Sequence, residues 1–488
     1  MVRPLAKSPC DLLVIGGGTA GLVAAKTAAG FKARVVLVER DRPGGDCLWT
    51  GCVPSKSLIA AASAAAQVRQ SVSLGVHAHE VKIDFGEVMR HVHEAIRTIE
   101  PADSFDSLRA AGVQVMAGDA IFEGPNVVRI DEEPVRFRQA LIATGATPVA
   151  PDIPGLSATD FFTTETIWGL TQLPQRLAVL GGGPIGCELG QAFARLGCQV
   201  TIVTRGPRLL GREDPEAAQL VIASMLADGV DIRTGANATG VAATGTAGAG
   251  TLRLENGQEL PFDALLVATG RSPRTQGLGL EAAGVNTDAG GHVVVDDHLQ
   301  TTNPWVWAAG DVTGRSHHTH TAGVHGSLAA SNAILGLKRS INTAAVPRVT
   351  FTSPELAAVG ASTDSVKAPA GGQVINWRHA ELDRAVTQNE RSGVTRLVLD
   401  RKGRIVGATV VGPRAGETLG ELSLAIHHGM RTRDLAPVTH AYPTYNDAVW
   451  NATVRDARKS LSSGMTGRAI GLLRGVRRLW VRWRQARR

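Results

Sequence analysis

The sequence predicts an α/β protein followed by a smaller α+β domain. Three observations carry this: one strand–glycine turn–helix unit occurs twice, each copy is later followed by an apolar strand ending in Ala-Thr-Gly, and the pattern changes beyond residue 346. The first unit runs from the apolar strand Leu12–Ile15 into Gly16-Gly17-Gly18-Thr19-Ala20-Gly21 and an Ala-rich helix. The second runs from Leu177–Leu180 into Gly181-Gly182-Gly183-Pro184-Ile185-Gly186 and another helix. Glycines at this spacing let a pyrophosphate approach the backbone at a helix N-terminus. The closing triplets are Ala143-Thr144-Gly145 and Ala268-Thr269-Gly270, and the first copy is about 40 residues longer than the second.

That excess contains the segment Gly44 to Lys56, with Cys47 and Cys52 five residues apart. Five residues of regular helix separate Cα atoms by roughly 8.6 Å, whereas a disulfide wants less than about 7 Å. If the two pair, the chain between them must leave helical geometry, and Gly51 is placed to allow it. Pro54 suits the first turn of a helix that begins just afterwards. The pattern suggests a dithiol at a helix mouth, where the positive dipole end favours thiolate.

Two dinucleotide sites imply two cofactors exchanging electrons, and one offset distinguishes them. Eighteen residues beyond Gly21 stands Glu39, at the end of strand Val35–Val38, where a carboxylate accepts a ribose 2′-hydroxyl. Eighteen beyond Gly186 stands Thr204, followed by Arg205, with Arg208 and Arg212 nearby. Arginine there pairs with a 2′-phosphate that an acid would repel, so NADPH is favoured over NADH at the second site. From Pro347 to about Asn451, short strands at Ile375–Trp377, Arg396–Leu399 and Ile405–Val411 surround a helix near Glu417–His428. The Gly-rich stretch Ala242–Gly250 reads as a loop.

Composition sets limits. The 488 residues suffice for three domains, and 56 glycines with 43% hydrophobic residues fit a globular α/β chain. The net charge of +7 is misleading, because residues 455–488 hold eleven Arg or Lys and one acid. That tail carries +10, which leaves the rest at −3, so nucleic-acid binding by the body is not expected. No run of 18 apolar residues and no secretory pattern appears, which points to a cytoplasmic protein. In a reducing compartment a close cysteine pair is more often catalytic than structural.

Together these residues resemble the class I pyridine nucleotide–disulfide oxidoreductases, the flavoproteins that include dihydrolipoamide dehydrogenase, glutathione reductase and mercuric reductase. The similarity runs from about residue 10 to residue 455. It includes both glycine fingerprints, Gly-Gly-Asp-Cys-(x4)-Cys-Val-Pro-Ser-Lys, Ala309-Gly310-Asp311 and Phe351-Thr352-Ser353-Pro354-Glu355. The resemblance implies two Rossmann-like FAD/NAD(P)-binding domains plus a C-terminal dimerisation domain. The expected boundaries are 1–155 and 271–346 for FAD, 156–270 for NAD(P)H, 347–455 for dimerisation and 456–488 for the tail.

It also implies roles. Gly16, Gly18, Gly21 and Glu39 would hold the adenosine part of FAD, Gly145 would close that site, and Asp311 would bond the ribityl chain. Gly181, Gly183, Gly186, Arg205 and Gly270 would serve the nicotinamide nucleotide. Lys56 would lie by the flavin and pair with Glu188, and His320 would sit near the isoalloxazine. Cys47 and Cys52 would form the redox-active disulfide, Cys52 facing the flavin and Cys47 exchanging with the acceptor. No resident metal is implied; Cys10, Cys187 and Cys198 read as packing residues.

The chain departs from the family at one place. Disulfide-reducing relatives carry His-Pro-Thr-x-x-Glu, whereas here the run is Tyr442-Pro443-Thr444-Tyr445-Asn446-Asp447. Tyr442 takes the histidine's place and Asp447 that of its carboxylate partner. A phenol titrates near pH 10, against about 6.5 for imidazole, so it is a poor proton shuttle at neutral pH. His440 either substitutes for it or is structural. No cysteine follows Cys198, so the C-terminal pair that feeds mercury to mercuric reductases is absent. The acceptor is left as a quinone, a disulfide or a metal ion.

In residues 469–488, Leu472, Leu473, Val476, Leu479, Trp480 and Trp483 share one helical face and arginines fill most of the rest. This segment is either a helix lying on an anionic membrane surface, a disordered basic tail or a helix packed on the protein.

Overall fold

The computed structural model describes residues 8–78, 80–245, 248–364, 372–462 and 464–487. Two compact units emerge. The first contains the residues up to Gly211 together with Met225–Ile341, and the second contains Arg212–Ser224 and the chain from Asn342 onward.

The first unit holds two parallel sheets. In one, the strands Gln114–Ala117, Val35–Glu39, Cys10–Ile15, Glu133–Ile142 and Val306–Ala308 lie side by side in that order. Their residues alternate between two cores, as a pleated strand requires. Leu12, Val14, Val35 and Leu37 face the helices Thr19–Gly30 and Thr319–Leu335, whose alanines allow close approach. Leu13, Ile15, Val36 and Val38 pack on the other side with Phe122, Val128 and Val135. Those three lie in an antiparallel sheet formed by Ala120–Gly124, Val127–Ile130 and the first residues of Glu133–Ile142.

The second parallel sheet runs Asp231–Arg233, Gln199–Val203, Arg176–Leu180, Ala264–Val267. Beside it lies the antiparallel sheet Ala238–Ala243, Gly250–Leu254, Glu259–Phe262. The loop expected at Ala242–Gly250 is therefore shorter: Ala242 and Ala243 pair with Thr251 and Gly250. Hairpin hydrogen bonding holds these small residues in strands despite their low strand propensity.

The second unit is built on five antiparallel strands ordered Pro347–Thr350, Glu355–Gly360, Ile405–Gly412, Val394–Leu399, Gln373–Arg378. The helix Ala415–His427 covers the sheet through Leu419, Leu422 and Ile426, and Asp447–Ser462 through Val449 and Ala452. A further helix, Gly464–Ala486, follows. No described helix is long and apolar enough to cross a membrane.

Candidate active site

The two glycine turns are built alike. Gly16 has φ +105°, and a Cβ on it would stand 2.4 Å from Ala143 O; Gly181 has φ +124°, and its Cβ would meet Ala268 O at 2.3 Å. Only glycine fits such a conformation at such an approach. The alanine of each Ala-Thr-Gly triplet is thus the wall against which its turn is pressed. A Cβ on Gly21 or Gly186 would fall about 2 Å from the carbonyl of the first glycine, so those positions set the helix close to the strand. Gly18 and Gly183 are N-caps without a side-chain acceptor, so the first N–H groups of both helices receive no side-chain cap.

The turns differ at their second glycine. Gly17 lies against Glu39, whose carboxylate accepts from Gly17 N at 2.6 Å and Asp41 N at 3.0 Å. Gly182 lies against Thr204 instead, and Arg205 beside it is exposed. The Arg208 guanidinium bonds the Leu210 and Gly211 carbonyls at 2.8 and 3.0 Å.

Between these turns stands the dithiol. Cys47 lies in the helix Gly45–Trp49 and Cys52 opens the helix Cys52–Gln70. The break falls at Thr50 (φ −137°) and Gly51 (φ −120°, ψ −106°). A Cβ on Gly51 would be 2.8 Å from Asp46 O, which is why a glycine stands there. The two cysteines are free and half-buried. The contact between the two thiols is the largest cause that lowers Cys52 to about 6. Burial opposes the shift, while the Thr319 hydroxyl, 3.2 Å away, and the Lys56 ammonium assist it. The same thiol–thiol contact, together with burial, pushes Cys47 well above the usual thiol range. The two shifts run in opposite directions, so of the coupled pair Cys52 is the sulfur on which negative charge is favoured. Burial also raises Cys10 and Cys198 to about 12, values that suit inert packing residues.

Lys56 Nζ lies 2.7 Å from Glu188 Oε2, with Glu188 buried on the helix Pro184–Arg195. Asp311 follows Gly310 (φ +82°), and its carboxylate stands 3.7 Å from both Arg271 Nε and His317 Nδ1. Arg271 also bonds Asp46 and, at 2.6 Å, Ala146 O. His320 is exposed in the first turn of the helix Thr319–Leu335. The hydroxyl on the dithiol belongs to its neighbour Thr319, which no motif in the sequence singles out. Asp46 and Arg271 were also missed, although Asp46 directly precedes Cys47 and Arg271 directly follows the second Ala-Thr-Gly.

These surroundings fit FAD and a nicotinamide nucleotide. Arg271 Nε and Thr321 Oγ1 are buried polar atoms without a hydrogen-bond partner among the described residues, an unusual cost unless another group bonds them. A Cβ on Gly145 or Gly270 would meet nothing within 4 Å, so both triplets end beside open space.

The second unit corrects one expectation. Tyr442 is 72% exposed, and its hydroxyl donates to Asp383 Oδ2 at 2.6 Å, which raises its already high pKa. Asp447 is not its partner: this buried carboxylate accepts from Thr444 N at 2.9 Å and ties the turn. The shorter aspartate caps the backbone beside it. His440 has a partner at each ring nitrogen. Nδ1 faces Val438 O and Nε2 faces Glu421 Oε1, both at 2.9 Å, and Glu421 also accepts from Asn446.

Comparison with known proteins gives the family. A family model described as pyridine nucleotide-disulphide oxidoreductase matches residues 10–326, and the dimerisation domain of the same family matches residues 346–453. The chain is 37% identical over 449 residues to a mercuric reductase of Streptomyces lividans, covering 90% of this chain and 94% of that protein. It is 33% identical over 452 residues to a dihydrolipoyl dehydrogenase of Geobacillus stearothermophilus, covering 91% and 95%. Among solved structures, LpdA from Mycobacterium tuberculosis superposes with a TM-score of 0.85 at 28% identity, over 91% of this chain and 99% of that one. The HOCl-induced flavoprotein disulfide reductase RclA from Escherichia coli, as its Cu(II) complex, gives 0.83 at 28% identity, over 92% and 99%. The protein carries the dimerisation domain of a homodimeric family and works with FAD and NAD(P)H. A repeated glycine turn, a half-buried dithiol between the two copies and this likeness along nine-tenths of the chain make it a member of the pyridine nucleotide–disulfide oxidoreductase family.

Proposed function

We propose that this FAD-dependent oxidoreductase takes electrons from NADPH, passes them through Cys47 and Cys52, and delivers them to an acceptor other than lipoamide or glutathione disulfide. The observation that carries the proposal is a dithiol with one thiolate, in a chain whose expected proton-shuttling histidine is an exposed tyrosine on Asp383. Bound FAD would supply the two-electron relay between nicotinamide and sulfur.

The chain's own residues do the rest. Gly16, Gly18 and Gly21 present the helix N-terminus to the FAD pyrophosphate, Glu39 takes the ribose and Asp311 the ribityl chain. Gly181, Gly183 and Gly186 do the same for the nicotinamide nucleotide, and Arg205 selects the 2′-phosphate. Lys56, fixed by Glu188, and the Thr319 hydroxyl hold negative charge on Cys52. Cys47 keeps the proton and meets the acceptor. Tyr442, reaching the other subunit's dithiol, has its one proton committed to Asp383 and does not cycle it near neutral pH. Reduction of a free disulfide needs a proton for the leaving thiolate; a quinone protonated from solvent, or a metal ion, does not need it from this residue. Residues 1–155 with 271–346, then 156–270, 347–455 and 456–488, divide these tasks as flavin, nucleotide, dimerisation and tail segments.

The acceptor is tested with NADPH, quinones, metal ions, lipoamide and glutathione disulfide, using the wild type and Tyr442→His. Turnover with quinone or metal ion, and disulfide activity gained only in the variant, is the expected result. Wild-type turnover of either disulfide at rates equal to the variant's refutes the proposal.

The same proposal places the enzyme in the cytoplasm with its last helix on an anionic membrane surface. In support, Leu472, Leu473, Val476 and Leu479 are each more than half exposed along the helix Gly464–Ala486. Arg477 and Arg484 stack on Trp480 at 4.1 and 4.4 Å, placing cations beside the apolar face. Deleting residues 465–488 should abolish binding to phosphatidylserine-containing vesicles while dye reduction persists. Equal vesicle binding by the truncated protein rejects this location, and loss of the dimer on truncation assigns the face to subunit contact.

A further inference from the structure

We propose that Trp168 and Asp46 form a two-point clamp that sets the dithiol–disulfide equilibrium of Cys47 and Cys52, acting as positioning residues through the backbone between them. This rests on the assignment of that pair as the redox couple.

Trp168 is 6% exposed, and its indole N–H is shared between Thr50 O at 2.9 Å and Thr164 O at 2.7 Å. Thr50 lies between the cysteines, where the chain has left one helix and not yet entered the next. Its carbonyl is outside the helical ladder: the first bond of the Cys52–Gln70 helix, from Ser55 N at 3.0 Å, goes to Gly51 O. The indole therefore satisfies the acceptor at the break itself.

The other point is Asp46, immediately before Cys47. Its carboxylate pairs with Arg271 and lies 3.7 Å from Arg274 Nη1, while its carbonyl accepts from Thr50 N at 3.0 Å. Arg274 in turn bonds Glu165 at 2.6 Å. Glu165 and Trp168 belong to one short segment, pinned by Phe162 to the strand Ala264–Val267: Phe162 N bonds Leu265 O at 2.7 Å and Val267 N bonds Phe162 O at 2.8 Å. Arg271 and Arg274 follow that same strand. Both ends of the break are thus tied to the edge of the second parallel sheet.

The consequence is thermodynamic. Forming the disulfide removes two electrons and two protons from the Cys47 and Cys52 thiols and joins their sulfurs; reduction reverses this. A turn held in one conformation keeps the reduced sulfurs adjacent, so closing the bond orders little more chain. A loosened turn gives the dithiol freedom that closure must remove, and the equilibrium moves toward the dithiol.

The experiment uses the full-length, FAD-loaded protein equilibrated with mixtures of reduced and oxidised dithiothreitol. Protein dithiol and cyclic dithiothreitol disulfide exchange to protein disulfide and free dithiothreitol, and alkylation with mass spectrometry reads the oxidised fraction. Trp168→Phe keeps the ring and removes the N–H; Asp46→Asn keeps the size and removes the ion pair. Each should lower the equilibrium constant for disulfide formation about tenfold, which is about 30 mV for a two-electron couple, measured on the FAD-loaded fraction. Constants equal to or above the wild type's in the variants overturn the clamp, and Asp46→Asn decides alone if Trp168→Phe does not fold. A wild type that forms no Cys47–Cys52 disulfide at any ratio refutes the assignment of the redox couple instead.

Discussion

Removing the thiol of Cys47 should move the titration of Cys52 more than any other single change at the dithiol. Cys52 is lowered to about 6, and the Cys47 thiol is the largest cause, ahead of Thr319 and Lys56, with burial opposing. In reduced Cys47→Ala protein the donor is gone, and Cys52 should return toward the ordinary cysteine value of about 8.5. The sign is that of an acid with a depressed pKa: nucleophilic reactivity is present above the midpoint and lost as pH falls through it. At pH 7 the thiolate fraction drops from about nine-tenths to about 3%, roughly thirtyfold. The rate falls much less, because a more basic thiolate is intrinsically more nucleophilic. With a Brønsted slope of about 0.4–0.5, a shift of about 2.5 units returns roughly ten- to eighteenfold, leaving a net loss of about two- to threefold. The midpoint of the pH profile is therefore the informative quantity. It is measured by following iodoacetamide labelling of Cys52 by peptide mass spectrometry from pH 4 to 10, with Cys47→Ser as the variant that retains a hydroxyl donor. An alanine variant still inflecting near pH 6 would show that Lys56, Thr319 and the helix end suffice, and the account of the thiol pair would be wrong.

Two further outcomes are expected. Gly51→Ala places a methyl 2.8 Å from Asp46 O, so the turn must shift; a loss of about 1–3 kcal/mol should appear as a lower melting temperature, together with slower flavin-to-dithiol electron transfer in stopped flow. Arg205→Ala should raise KM for NADPH about tenfold while leaving KM for NADH within twofold, as befits loss of one charge-assisted contact to the 2′-phosphate worth about 1.5 kcal/mol.

Much of the site was legible in the chain because its parts are local. A glycine turn, the strand before it and the helix after it fall within about twenty residues, and their periodicities need no partner to be recognised. The displacement of a histidine by Tyr442 was equally visible. The error at Asp447 came from treating aspartate as a shortened equivalent of glutamate. One methylene fewer turns that carboxylate onto Thr444 N, and Asp383, 59 residues away, takes the phenol instead.

What the sequence by itself determined is the inventory: two nucleotide-binding turns, a cysteine pair interrupted by glycine, a Lys56–Glu188 pairing implied by resemblance, and a chain ending in an amphipathic basic segment. What only the tertiary structure decided is which group acts on which. Thr319 meets Cys52 across 267 residues and Trp168 meets Thr50 across 118. His440 meets Glu421, 19 residues away. Such pairings leave no periodic trace in the chain, because a hydrogen bond between distant segments is chosen by the packing of sheets and helices that carry its two ends.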